Sequence, residues 1–331
     1  ASAAGDAPAP AFAPVFGSHM VLPHATPLTL RGRAAPGERL TLQVGNRRYQ
    51  PRADARGQWR QQVDPLRAGG PYELALTDSR GRRTTLTDVL AGEVWLCSGQ
   101  SNMEFAAAQS SDQPPGAMHG HAAIRLLGIA HQTALVAQED FSATPAWQPA
   151  TAEAVRRFSA LCWFFARQRI AEGNLPIGLL HASWGGSAIE AWISEQGIAR
   201  LPAHRHAVGL LRQYRSDPRA GELAFARDWV QWWRQRPDMG DVWERGVLDG
   251  HADWRPAPFA DWRTYPDARL ADFTGNLWFS ARFTLTGAQA RRGATLVLGN
   301  IDEVDTTWLN GRFVSNTFGY GTRREYRLEA G

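Results

Sequence analysis

Gly92-Glu93-Val94-Trp95-Leu96-Cys97-Ser98-Gly99-Gln100-Ser101-Asn102-Met103-Glu104 is the stretch on which the fold turns. Val94 to Cys97 is an unbroken apolar run without polar alternation, the pattern of a strand covered on both faces in an α/β sheet. It runs into Ser98-Gly99, so Ser101 stands at the C-terminal end of that strand, where open α/β sheets place their sites. A serine presented there needs a sharp turn, which Gly99 permits, and backbone N–H groups to hold an oxyanion, one of them its own. Met103 occupies the place of the second glycine of a Gly-x-Ser-x-Gly elbow, so the turn is not of the α/β-hydrolase type.

Upstream, residues 14–90 carry short apolar runs punctuated by Gly and Pro. Leu28-Thr29-Leu30, Leu40-Thr41-Leu42-Gln43-Val44 and Tyr72-Glu73-Leu74-Ala75-Leu76 are examples, and the spacing predicts a small β-sandwich. Downstream, Val155, Phe158, Leu161, Cys162, Phe165 and Ala166 recur at helical spacing within 152–172, and Gly173-Asn174 supplies a stop. Pro176 to Ser183 reads as a second buried strand followed by a glycine pair, and strand, helix, strand implies a right-handed βαβ unit. Residues 198–235 are predicted mostly helical. From about Gly246 the chain turns β-rich, with strands expected over 277–286, 294–298 and 306–309 and a hairpin at Asn310-Gly311. No internal repeat is visible.

A chain of 331 residues with this apolar content implies two or three folded units. All 36 positive side chains are arginine. The absence of lysine excludes a Walker phosphate loop, a protein-kinase site, and Schiff-base or lysine-base chemistry. The net charge of +4 does not indicate nucleic acid, because acids are interspersed with short arginine clusters such as Arg80-Gly81-Arg82-Arg83. Two cysteines, Cys97 and Cys162, build neither a zinc cluster nor a disulfide scaffold. Their apolar settings favour buried free thiols, with a single disulfide between them left open. No apolar run reaches the ~20 residues of a membrane span, so no membrane partner is expected. The small, proline-rich start resembles the leader left after signal-peptide cleavage and points to export, periplasmic or secreted.

Gly99-Gln100-Ser101-Asn102-Met103-Glu104, with Gly178-Leu179-Leu180, Ser183-Trp184-Gly185-Gly186-Ser187 and Glu190-Ala191-Trp192, resembles the sialate O-acetylesterase family of SGNH-type carbohydrate esterases. The flanks share the resemblance. Phe16 to Leu22, Ala35-Pro36-Gly37-Glu38 and Ala68-Gly69-Gly70-Pro71-Tyr72 are similar to the N-terminal β-sandwich of bacterial members. Gly275-Asn276-Leu277-Trp278-Phe279, Leu298 to Asp305 and Leu309-Asn310-Gly311 resemble a β-galactosidase-like jelly roll that interrupts the catalytic domain of some members. The implied organisation is multi-domain: 1–90 a β-sandwich, 91–245 the first part of an SGNH-like α/β catalytic domain, and 246–331 the start of an incomplete jelly-roll insert.

The resemblance implies a carbohydrate O-acetylesterase in which Ser101 attacks the acetyl carbonyl to form an acetyl-enzyme. Gly186, with Gly185 beside it, would supply an oxyanion N–H, and Gln100 and Asn102 would orient the loop or add a donor. Glu190 and Trp192 are expected to cap and pack the helix that follows. The mechanism requires no metal or organic cofactor. The substrate would be an acetylated sugar, sialic acid or a plant cell-wall polysaccharide. None of the nine histidines stands in the Asp-x-x-His or Asp-x-His-Pro setting in which this family carries its base. Asp249-Gly250-His251 reads as a loop, His119 and His121 lack a third ligand for a metal, and His181 reads as a hydrogen-bonded core residue. The resemblance therefore implies a companion chain, the C-terminal part of the same polypeptide, that supplies the histidine and acid. The competing class is a noncatalytic carbohydrate-binding β-module protein using some of its 14 tryptophans; glycoside hydrolysis fails for want of a carboxylate pair.

Overall fold

The alternating runs upstream of Gly92 form strands, and in the computed structural model, which describes residues 9–110, 116–141, 143–235, 254–258, 260–319 and 321–328, they build two sheets. The first has the order β1 (Ala11–Phe12), β3 (Leu28–Arg33), β6 (Gln58–Val63). The second contains β2 (Val21–Pro23), β4 (Thr41–Val44), β5 (Arg47–Tyr49), β7 (Gly69–Thr77) and β8 (Arg83–Gly99). Leu30, Trp59 and Val63 of the first sheet and Leu42, Val44, Leu74, Leu76 and Val89 of the second share one buried cluster. This is what period-2 sequences produce when one face of each sheet is dry.

β8 has 17 residues and does not stop where the sequence pattern changes. Its C-terminal half continues into the α/β region, where β11 (Ile177–Ser183) runs parallel to it from Ile177 opposite Glu93 to Ser183 opposite Gly99. β9 (His121–Gly128) lies parallel on the other side of β11, and β10 (Trp147–Ala150) is antiparallel to β9. The path through the large sheet is β10-β9-β11-β8-β7-β4-β5. The boundary expected at 90/91 thus falls inside one strand.

Residues 152–172 were expected to form a single helix and instead form two, α2 (Ala152–Arg157) and α3 (Ala160–Gly173). The break falls at Phe158, which is extended, and at the non-helical Ser159, because Ser159 caps α3: its Oγ accepts from Cys162 N–H at 3.2 Å. Asn174 closes α3 in the left-handed conformation, as the stop signal predicts. The face of α3 bearing Cys162, Trp163, Ala166 and Ile170 packs with Ile124, Leu126, Ile177 and Leu179 in a second core.

Two further expectations are corrected here. Cys97 and Cys162 are not free thiols: they form a disulfide that joins the end of β8 to the first turn of α3. The run after Gly92 is not covered on both faces. Cys97 is buried, yet Trp95 is 40% and Leu96 68% exposed, although side chains of neighbouring residues point to opposite faces; along the strand's edges, β11 pairs residues 93–99 on one side and no described strand pairs them on the other.

The chain divides into two compact units, Ala1–Ser194 and Glu195–Gly331. The second contains α4 (Glu195–Ile198), α5 (Arg205–Ser216), α6 (Pro218–Arg234) and α7 (Gly287–Ala290), followed by β12 (Ala294–Asn300), β13 (Val304–Leu309), β14 (Arg312–Phe318) and β15 (Arg323–Leu328). Asn310 and Gly311, both at positive φ, turn β13 into β14 as the Asn-Gly signal requires. β12 pairs antiparallel with β15. Residues 277–286, expected as a strand, belong to no strand of the structure. The fully buried Arg324 donates to Asp305 Oδ1 at 2.8 Å, and the Tyr326 hydroxyl donates to the same carboxylate. The expected boundary at 245/246, and His251, lie outside the described residues.

Candidate active site

β8 ends at Gly99, whose φ of 147° lies where only glycine is unstrained, and the chain turns there into a single helical turn, α1 (Ser101–Glu104). That turn lifts Ser101 onto the exposed C-terminal end of the sheet. β11, the parallel neighbour, ends at the same level, because its Ser183 sits opposite Gly99. Trp184 N–H donates to Gly99 O at 2.9 Å, so the glycine pair that follows is delivered beside the serine. A Cβ on Gly185 would stand 3.5 Å from Ser101 Oγ. The structure thus brings Ser101, Gln100, Gly185 and Gly186 together at two adjacent parallel strand ends.

Ser101 Oγ donates to Gln100 Oε1 at 3.0 Å, and Gly186 N–H points at the same oxygen from 3.4 Å. The nucleophile candidate and the oxyanion-donor candidate therefore converge on one acceptor, and Gln100 is part of the site. Gly185 differs from its expected role. Its N–H is taken by Glu104 Oε2 at 2.5 Å, whereas Gly186 N–H shares the Gln100 Oε1 acceptor with Ser101 Oγ. Asn102 is exposed and makes no side-chain hydrogen bond among the described residues.

Among the described residues no imidazole hydrogen-bonds to Ser101 Oγ. His181, on β11, is half-buried and places Nε2 2.6 Å from Ser183 Oγ and 3.1 Å from Met103 O, so it is hydrogen-bonded as expected but not part of a buried core. Its burial pushes the imidazole pKa below the usual value. His121 Nδ1 accepts from Ala123 N–H at 3.2 Å, and among the described residues no group of three or more His, Cys, Asp or Glu side chains is placed to hold a metal ion. Glu190 and Trp192 belong to a short 3₁₀ turn, Ile189–Trp192, rather than to the cap of a helix; the Trp192 indole N–H donates to Ser187 Oγ at 2.9 Å. No helix among the described residues is long and apolar enough to cross a membrane.

Two side chains at the site went unremarked in the sequence. Glu104 reaches from α1 to the Gly185 amide. His131, in the loop after β9, stacks on Trp184 with ring centroids 4.2 Å apart and 5° between planes. Glu104 belongs to the motif and was legible as a candidate. His131 sits in a loop without periodicity or motif, and nothing in the sequence marks it.

Residues 91–211 match a family model described as carbohydrate esterase, sialic acid-specific acetylesterase. Over this part the chain is related to the sialate and carbohydrate O-acetylesterases, and the stretch includes Ser101, Glu104, His131, Gly185 and Gly186. The sialate O-acetylesterases of Pongo abelii and Homo sapiens are each 33% identical to it over 151 residues, which cover 42% of this chain and 29% of theirs. A crystal structure of a carbohydrate acetylesterase from Xanthomonas citri superposes with a TM-score of 0.54 at 32% identity, covering 56% of this chain and 43% of that one. The chain spans less than a third of the length of the curated relatives it matches.

Proposed function

We propose that this chain is the front part of a serine carbohydrate esterase that removes acetyl groups from sugar hydroxyls. The observation that carries the reading is the convergence of Ser101 Oγ and Gly186 N–H on one oxygen at the ends of two parallel strands. In the reaction Ser101 Oγ attacks the acetyl carbonyl carbon while its proton passes to a base and then to the departing sugar oxygen. Water next attacks the acetyl-enzyme, releases acetate and returns a proton to the serine. Gly186 N–H holds the carbonyl oxygen as it becomes negative.

The base comes from a further segment of the same polypeptide, present as a companion chain. Support for this lies in the lack of an imidazole at Ser101 among the described residues and in the edge of β8 over 93–99 that no described strand pairs. A strand laid along that edge would satisfy its backbone. On this reading the α/β region is of the SGNH type, the two N-terminal sheets form the β-sandwich, and the β12–β15 strands begin a jelly-roll insert. The Cys97–Cys162 disulfide supports an exported, oxidising location.

Acetate release from acetylated sialic acid, xylan and xyloglucan oligosaccharides is the test. Ser101→Ala is expected to lower turnover at least ~10³-fold on whichever substrate is used. Wild-type rates in that variant sink the assignment, and full activity of the chain alone, with no companion fragment in its mass spectrum, sinks the completing segment.

A further inference from the structure

Gly186 N–H serves as an oxyanion donor only if the turn that carries it is held still, and the three residues before it are each gripped by one device. His131 Nε2 lies 3.0 Å from Ser183 O and 2.8 Å from Glu104 Oε1; both are acceptors, so Nε2 carries the proton and donates to the two. The same imidazole stacks flat on the Trp184 ring. The other oxygen of Glu104 accepts the Gly185 N–H at 2.5 Å. Ser183 is thus held by its carbonyl, Trp184 by its ring and Gly185 by its amide.

We propose that Glu104 and His131 are positioning residues that clamp Ser183-Trp184-Gly185 and thereby aim the Gly186 N–H at the oxygen bound next to Ser101. The clamp has a steric requirement at its centre. A Cβ on Gly185 would come within 2.7 Å of Glu104 Oε2, so the carboxylate reaches the amide only because residue 185 has no side chain. Glu104 and Ser101 also lie on one helical turn, three residues apart, so nucleophile and clamp share a rigid base. Both carboxylate oxygens are thus engaged by the turn and by His131, so the carboxylate acts through the backbone of the turn. The proposal rests on the esterase reading given above.

The test uses the complete gene product, so that every segment of the enzyme is present, and measures kcat and KM for acetate release together with the melting temperature. Glu104→Ala should lower kcat ~10²-fold, since a displaced oxyanion donor costs on that order, with KM within about twofold of wild type. Glu104→Gln keeps an oxygen acceptor for Gly185 N–H and should recover kcat to within about fivefold. His131→Phe retains the ring on Trp184 but has no N–H to give, and should lower kcat roughly fivefold at unchanged melting temperature. It carries the test if the alanine variant fails to fold. Wild-type kcat in Glu104→Ala or in His131→Phe, a loss confined to KM, or equal losses in Glu104→Ala and Glu104→Gln would overturn the clamp. Ser101→Ala run alongside separates the two claims. Activity surviving there defeats the esterase reading, while a dead Ser101→Ala beside a fully active Glu104→Ala defeats only the clamp.

Discussion

The single strand β8 passes through two environments. Before Gly92, Leu86, Val89 and Ala91 are at most 9% exposed; after it, Trp95 and Leu96 stand at 40% and 68%. Composition alone would predict the reverse, because the first half mixes Arg83, Asp88 and three threonines among its apolar residues while Val94 to Cys97 is unbroken apolar. The neighbours differ. The first half is paired by β7 on one edge and by β2 over Leu90 to Gly92, whereas among the described strands the second has β11 alone. The half that carries the site is secured by specific ties instead: the disulfide to α3, the parallel register with β11, and Glu93, which accepts from Arg169 Nη2 at 2.8 Å and is held by it below the usual carboxylate range. Burial stabilises one half and cross-links position the other, which suits a strand end that must stay open to a substrate.

The largest expected stability effect breaks one of those ties. The disulfide spans 65 residues, and removing it as Cys97→Ala with Cys162→Ala should cost ~4 kcal/mol by loop-closure entropy in urea unfolding. An unchanged midpoint would mean that the site half of β8 is held without its cross-link. Next comes the buried half. Leu86→Ala should cost about 3 kcal/mol, for lost transfer energy plus the cavity left behind.

A smaller effect is expected from acidification. The folded imidazole of His181 resists protonation relative to the unfolded chain, so as pH falls below ~6.5 the unfolded state takes up the proton first. The stability lost in that range should diminish in His181→Gln, as followed by thermal melting between pH 7 and pH 5. Smallest is Leu96→Ala, expected to change the stability of the isolated chain by less than ~0.5 kcal/mol. A cost matching that of Leu86→Ala would show that the open half is covered in solution.

Much of the site was legible because it is local. Gly99, Ser101 and the Gly185-Gly186 pair each follow directly from a strand end, and turn chemistry operates over a few residues. The Asn310-Gly311 hairpin was readable for the same reason. The break in 152–172 was not, because Ser159 interrupts a continuous helical period by capping α3 rather than by any change in hydrophobic pattern. The disulfide was left open since two cysteines 65 residues apart are joined only by how α3 lies on the sheet. The role of His131 was hidden in a loop, where spacing carries no information about what a ring will meet.

By itself, then, the sequence determined the order of elements, the turn that presents Ser101 and the chemistries that a lysine-free chain forgoes, because these depend on residue type and short-range period. The tertiary structure alone decided that β8 and β11, distant in sequence, lie parallel and in register, that Gly185 gives its amide to Glu104 while Gly186 and Ser101 share Gln100 Oε1, and that Trp95 and Leu96 of β8 stand exposed. Those outcomes belong to contacts between distant segments, and an apolar run does not state in its own residues whether anything will cover it.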